Sequence, residues 1–201
     1  MLRIGLTGLM ASGKSTVGRR FQERGADLVV GDALGWEVLR RPPIRDAIAA
    51  VFGATVLDAS GAVDRGRLGR IVFRDPGAMQ RLNGIVQPAL LEEIRAAMNA
   101  PGEGLRVLDA AMLTAWGLEP ELDGVVEVIA PTEIRIARLR AARGFTDEEA
   151  RARILGQTLP PVRGSKRSWK IENDASRKDL DRRSDAVWDE IEALGRPGRP
   201  S

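Results

Sequence analysis

Leu2-Arg-Ile-Gly-Leu-Thr-Gly-Leu-Met-Ala-Ser-Gly-Lys-Ser-Thr16 is the stretch on which the fold turns. It opens with a short, largely apolar run, Leu2 to Leu6, that reads as one buried strand. From Gly8 to Ser15 it matches G-x-x-x-x-G-K-[ST] in full. A helical pattern follows from about Lys14 to Arg24, with Val17 and Phe21 on one face and Gly25 placed to end it. Strand, glycine-bearing loop and helix in this order make a phosphate cradle. Successive backbone N–H groups turn inward, and the helix N-terminus adds the positive end of its dipole. The phosphate-side candidates are Gly8, Ala11, Ser12, Gly13, Lys14, Ser15 and Thr16. Lys14 is placed to bridge β- and γ-phosphates, the Ser15 hydroxyl to ligate Mg²⁺, and Thr16 to reach the α-phosphate. The motif alone does not say which nucleotide or which acceptor.

A second strand, Leu28 to Val30, follows at once, which is the opening of a parallel α/β sheet. Asp32 stands just beyond its carboxyl end, where ligands gather in open α/β sheets. It is a candidate to take the proton of an acceptor hydroxyl, or else a helix N-cap for the segment from Ala33. From about Trp36 to Met98 the pattern is helical, with turns at Arg41-Pro-Pro43, Asp58-Ala-Ser-Gly61 and Asp75-Pro-Gly77. Strand signals return at Leu105–Leu108 and Val125–Ile129. Asp109, after the first of these, is a Walker-B-like candidate to orient the Mg²⁺ shell or the acceptor, or again an N-cap. A helix is expected from Thr132 to about Ala142. Thr146-Asp-Glu-Glu149 then spells a capping box for a helix to about Gln157. A last strand at Trp169–Ile171 leads into a helix from about Lys178 to Leu194. The tail, 195–201, reads as disordered.

Composition narrows the chemistry. The 201 residues include no Cys, no His and no Tyr. Thiol chemistry, disulfides and imidazole metal sites are thereby excluded, and a general base must be a carboxylate, a Lys or a water. The net charge of +3 suits a protein that handles polyanionic small molecules. No signal-peptide pattern or membrane-spanning apolar run stands out, so the expected location is the cytoplasm. The arginines around 138–167 read together as a lid that closes over a transferring phosphoryl group.

Taken in order, these residues resemble the dephospho-CoA kinase family, over nearly the whole chain from Ile4 to about Ile191. Ile4-Gly-Leu-Thr-Gly8 with Ser12–Thr16 is similar to that family's P-loop, and Asp32 to its aspartate after the second strand. Phe52-Gly53, Val56-Leu-Asp58, Gly61, Asp64-Arg65, Ile71-Val-Phe73, Asp75-Pro76 and Leu82-Asn83 are similar to its central lobe. Arg143-Gly-Phe-Thr146, Glu148-Glu-Ala150, Arg153-Ile154 and Gln157 are similar to its lid, and Ile171 with Asn173 to its last strand and turn.

The resemblance implies a P-loop kinase fold, a five-stranded parallel sheet flanked by helices, with a helical CoA-binding lobe and a helical lid. It divides the chain into a nucleotide-binding core (1–35, 101–141 and 168–194), an acceptor lobe (36–100) and a lid (142–167). It implies ATP and Mg²⁺ as cofactors and dephospho-CoA as the small-molecule partner, phosphorylated on the ribose 3′-hydroxyl. Nucleic acid and membrane are not expected, and the chain is expected to be a monomer or weak homo-oligomer. Lys14, Asp32 and Arg143 become the catalytic candidates, and Arg138 and Asn173 join the nucleotide side. Arg65, Phe73, Gln87 and Asp109 join Asp32 on the acceptor side.

The chain also departs from the family pattern. Leu9 and Ala11 stand where glycines are usual, Val30 where the family has a first Asp, and Gln87-Pro88 where it has His-Pro. Gly69, Ala111, Ala115 and Ala142 fall where it has larger polar groups or Pro. Most of these changes fall on the acceptor side. They motivate two alternatives: a P-loop kinase of another small acceptor, and a catalytically weak nucleotide-binding regulator.

Overall fold

The computed structural model of the chain describes residues 1–195, apart from the side chain of Arg143. Its five strands are β1 (Leu2–Thr7), β2 (Asp27–Val30), β3 (Leu105–Asp109), β4 (Gly124–Ile129) and β5 (Ser168–Glu172). They form one sheet in the order β2-β3-β1-β4-β5. The pairings of β1 with β3, β1 with β4, and β4 with β5 are all parallel. Parallel strands buried on both faces read as near-continuous apolar runs. That is why Val107, Leu108, Val125, Val126 and Val128 are fully buried.

The strand order sets the site. From β1 the chain returns to β3 on one side and to β4 on the other, so the carboxyl end of β1 is a topological switch point, where a crevice opens. The loop from Gly8 to Gly13 leaves β1 there and enters α1 (Lys14–Glu23). α1 packs Val17 and Phe21 into the sheet cluster with Ile4, Leu6, Trp188 and Ile191, the last two from α8 (Arg177–Gly195). Gly25, at φ 103°, ends α1 as expected.

The chain separates into two compact units. One comprises residues 1–29 and 101 onward, the other Val30–Ala100. The helix after β2, α2 (Gly31–Arg40), lies in the second unit. The second unit continues with α3 (Pro42–Phe52), α4 (Arg65–Val72) and α5 (Pro76–Asn99). Its own core is built on Ile48, Val56, Leu68, Val72 and Ala78. Asp64 and Asp75 cap α4 and α5 by accepting from the N–H groups of Arg67 and Gly77.

The first unit also holds α6 (Thr132–Arg143) and α7 (Asp147–Leu155). The Thr146–Glu149 capping box is present in both directions, and α7 stops two residues before Gln157. Gly195 closes α8, while the rest of the expected tail, 196–201, lies outside the described residues. Among the described residues no helix is long and apolar enough to cross a membrane.

Gly124 provides a test of the packing between β4 and β5. A β-carbon there would stand 2.5 Å from Trp169 Cζ3 and 3.3 Å from the Arg167 carbonyl. The Trp169 indole N–H is tied to Glu190 at 2.8 Å, so the ring cannot withdraw freely. Gly124→Ala is expected to lower stability by about 1–3 kcal/mol in urea unfolding. Trp169→Leu added to it should recover part of the loss; a Gly124→Ala protein as stable as the original would show that the contact yields without cost.

Candidate active site

A loop that turns its N–H groups inward must turn carbonyls outward, and buried carbonyls need donors. The loop from Gly8 to Gly13 finds them on two neighbouring segments, α6 and the turn after β5. Arg135, on α6, donates from Nε to the Met10 carbonyl at 2.9 Å. Arg138, one turn on, donates from Nη1 to the carbonyls of Ala11 and Ser12 at 3.5 and 3.4 Å. Asn173, just after β5, donates from Nδ2 to the Ser12 carbonyl at 2.7 Å. Arg138 Nη2 then donates to Asn173 Oδ1 at 2.9 Å and to its carbonyl at 3.2 Å, closing the strap. On the outer edge the Met10 N–H donates to Gln157 Oε1 at 2.5 Å.

The glycines of the motif are required by close approach. A side chain on Gly8 would meet the Val128 carbonyl at 2.5 Å, and one on Gly13 would collide with the Asn173 amide. Gly13 also takes φ 102° as the residue before α1. Ala11 adopts φ 60°, a left-handed conformation that suits glycine. Its methyl packs against Ile136, Leu139, Ala150 and Ile154, the apolar seam between α6 and α7.

Two buried polar atoms here lack a partner. Among the described residues Ser12 Oγ and Arg135 Nη2 make no hydrogen bond, although Ser12 is 1% and Arg135 5% exposed. Burial pushes the Arg135 guanidinium down from its ordinary value.

Lys14, the first residue of α1, donates from Nζ to Asp109 Oδ1. Asp109 is the last residue of β3, beside Leu6 of β1, and is 6% exposed. It ends a strand and begins no helix, so the N-cap alternative for it fails. Asp32 is not an N-cap either: Val30 holds that position and Asp32 lies exposed in the first turn of α2, where its charge suits the dipole. Ser15 is exposed on the first turn of α1, and Thr16 is half-buried, its N–H donating to the Gly13 carbonyl at 2.9 Å.

The first unit therefore brings together Gly8, Ala11, Ser12, Gly13, Lys14, Ser15, Thr16, Asp109, Arg138 and Asn173. Arg138 and Asn173 reach the loop with their polar atoms engaged by it, which makes them struts of the cradle. The side chain of Arg143 lies outside the described residues. Asp32, Arg65, Phe73 and Gln87 belong to the second unit. There Arg65 opens α4 with its guanidinium over the Trp36 indole. Phe73 ends α4, 80% exposed. Gln87 is half-buried on α5 before Pro88.

The sequence pattern does not single out Arg135 as a site residue. Its spacing of three from Arg138 puts both on one face of α6, and that is the available signal. Gln157 enters only through the family resemblance, and its contact with the loop comes from how α7 packs.

The match to known proteins covers both units. The family model for dephospho-CoA kinase fits residues 2–179. This chain belongs to the dephospho-CoA kinase family. A dephospho-CoA kinase of Thermobifida fusca is 38% identical over 194 residues, covering 96% of this chain and 97% of that one. A solved Thermus thermophilus protein superimposes with a TM-score of 0.74 at 29% identity, covering 94% and 97% of the two chains. A Campylobacter jejuni dephospho-CoA kinase shares the fold with a TM-score of 0.67 at 21% identity, covering 96% and 98%.

The dephospho-CoA kinase cradle can be probed at Ala11. A β-branched residue at φ 60° clashes with its own backbone, and the carbonyl strap prevents the loop from relaxing. Ala11→Val is expected to cost about 2 kcal/mol or more in thermal or urea unfolding and to weaken ATP binding in calorimetry. Ala11→Gly, free of the backbone penalty but without the methyl, should stay within about 1 kcal/mol of the original. Equal stability of the two variants would mean the left-handed conformation is not retained in solution.

Proposed function

We propose that this chain transfers the γ-phosphoryl group of ATP to the ribose 3′-hydroxyl of dephospho-CoA, giving coenzyme A and ADP. The observation that carries the reading is the extent of the family match, which runs through the phosphate loop and through the whole of the second unit. The phosphate side is supported by the strapped loop, the orphaned Ser12 hydroxyl and the buried Lys14–Asp109 pair.

In this reading the loop amides and Lys14 hold the β- and γ-phosphates and neutralise charge as a loose transition state forms. Lys14 is preorganised for this role, because Asp109 keeps its ammonium beside the loop, out of solvent. Mg²⁺ would supply charge neutralisation between the phosphates, with Ser15 as its protein ligand and Asp109 positioned to order the surrounding shell. The donor set fits. A hydroxyl and a carboxylate are hard oxygen donors of the kind Mg²⁺ takes alongside phosphate oxygens and water. Asp32 takes or orients the proton of the acceptor hydroxyl. Residues 36–100 form the acceptor lobe and 142–167 the lid, whose arginines, with Arg143 as the catalytic candidate, spread the charge of the transferring group. The protein works as a cytoplasmic monomer or weak homo-oligomer, without nucleic acid or membrane.

Two substitutions separate the roles. Lys14→Ala should abolish phosphoryl transfer in an ADP-release assay while circular dichroism shows a folded protein; near-normal turnover would remove Lys14 from the mechanism. Asp32→Asn should lower turnover by roughly two to four orders of magnitude, the scale of a positioned general base, with little change in ATP affinity. If ATP affinity falls as far as turnover, Asp32 serves the metal or the fold instead. The same assay across dephospho-CoA, AMP, GMP, pantothenate and adenosine should give the highest turnover with dephospho-CoA. Equal or better turnover with another acceptor would replace the assignment.

A further inference from the structure

The second unit contains a cavity of about 240 Å³, with Arg65 as the one acceptor-side candidate on its wall. Trp36, Leu39 and Arg40 of α2, Asp58 and Val63 of the turn before α4, and Arg65 of α4 line it. Its size is below the roughly 300–1,000 Å³ of pockets that take whole drug-sized ligands, and suits one ring system. One wall is flat and aromatic: the Trp36 indole with the Arg65 guanidinium lying on it. Guanidinium and indole faces both stack on nucleobases. Leu39 and Val63 supply apolar sides.

The polar wall is Asp58. Its Oδ1 accepts from the Ser60 N–H at 2.8 Å, the Ser60 hydroxyl at 2.6 Å and the Ala62 N–H at 3.1 Å. These bonds fix the carboxylate and, led by the Ser60 hydroxyl, hold it below its ordinary pKa, so it is an acceptor at neutral pH. Among the described residues the bonds to the carboxylate all fall on Oδ1, which leaves Oδ2 to accept from a ligand. Trp36 lies four residues beyond Asp32 on the same helix, hence one turn along the same face, about 6 Å away.

We infer that this cavity takes the adenine of the acceptor, the base lying against Trp36 and Arg65 and its exocyclic amine donating to Asp58 Oδ2. The inference rests on the proposed function, because it is the acceptor's ribose hydroxyl at Asp32 that places its base one turn away. Arg40 at the rim and Arg65 on the wall supply positive charge for the acceptor's diphosphate. A carboxylate facing the base selects an amino group and rejects a keto group at that position. A purine site with this wall therefore reads adenine over hypoxanthine.

The test compares dephospho-CoA with its hypoxanthine counterpart as acceptors for the full-length chain. The unaltered enzyme should favour the adenine acceptor by at least about tenfold in kcat/KM. Asp58→Asn, which puts an amide donor where the carboxylate was, should reduce or reverse that preference. Trp36→Ala should raise the acceptor KM about tenfold or more, with a smaller effect on kcat and on the KM for ATP, and Trp36→Phe should restore most of the affinity. An unchanged preference in Asp58→Asn, or an unchanged acceptor KM in Trp36→Ala, overturns the inference while leaving the phosphotransfer reading intact. If the unaltered chain turns over neither acceptor, the phosphotransfer reading falls. Calorimetric binding of dephospho-CoA to the Asp58→Asn and Trp36→Ala variants then decides the cavity on its own: affinity equal to the unaltered chain overturns it.

Discussion

The carbonyl strap is the constraint on which the nucleotide side depends. Inward N–H groups are useful to a phosphate only if the peptide planes cannot flip, and a flip exchanges each N–H for a carbonyl. Arg135, Arg138 and Asn173 prevent it by engaging the carbonyls of Met10, Ala11 and Ser12 from behind. Charge-assisted donors are the stronger kind, and two of the three struts are arginines. The arrangement also explains why α6 and the turn after β5 are fixed in relation to the loop: they supply its missing donors. Gly13 follows from the same constraint, because any side chain there would take the space of the Asn173 amide.

The first strand, the loop and α1 are legible in the sequence because each is specified twice, by local pattern and by motif. The Thr146–Glu149 capping box is legible for a similar reason: its reciprocal bonds are local, spanning three residues. What a sequence does not carry is the partner of a side chain distant in the chain. Lys14 and Asp109 are 95 residues apart, and only the parallel register that sets Leu6 beside Asp109 brings them together. Asp32 and Asp109 illustrate the opposite error. A carboxylate just past a strand looks like an N-cap in sequence, yet one ends its strand and the other sits inside a helix that starts a residue earlier. Helix and strand ends are where local propensity is weakest and hydrogen bonding decides.

Without His or Cys, the protein has no side chain that ordinarily changes charge near neutral pH. Its polar architecture relies on arginine and carboxylate. Most such pairs here are exposed, as at Arg151 with Glu133 and Asp147, and exposed pairs stabilise by a few tenths of a kcal/mol up to about 1 kcal/mol. The Lys14–Asp109 pair is different in kind. Both groups are largely withdrawn from water, so each makes the other tolerable, and an ammonium held in this way meets an incoming phosphate with little solvent left to remove.

Ala11 joins these two themes. A glycine would adopt φ 60° more easily, but it would have nothing to place against Ile136, Leu139, Ala150 and Ile154. The methyl makes the crest of the phosphate loop part of the apolar seam between α6 and α7, and the bond from Met10 to Gln157 lies just beyond α7. Displacing α7 therefore withdraws both a packing contact and a hydrogen bond from the loop that would hold the β-phosphate. A glycine at 11 would keep the backbone bonds to Arg138 and Gln157 but lose the packing contact with the seam. Here the backbone strain at one residue, about 1 kcal/mol, accompanies a mechanical link between the helix pair and the phosphate site.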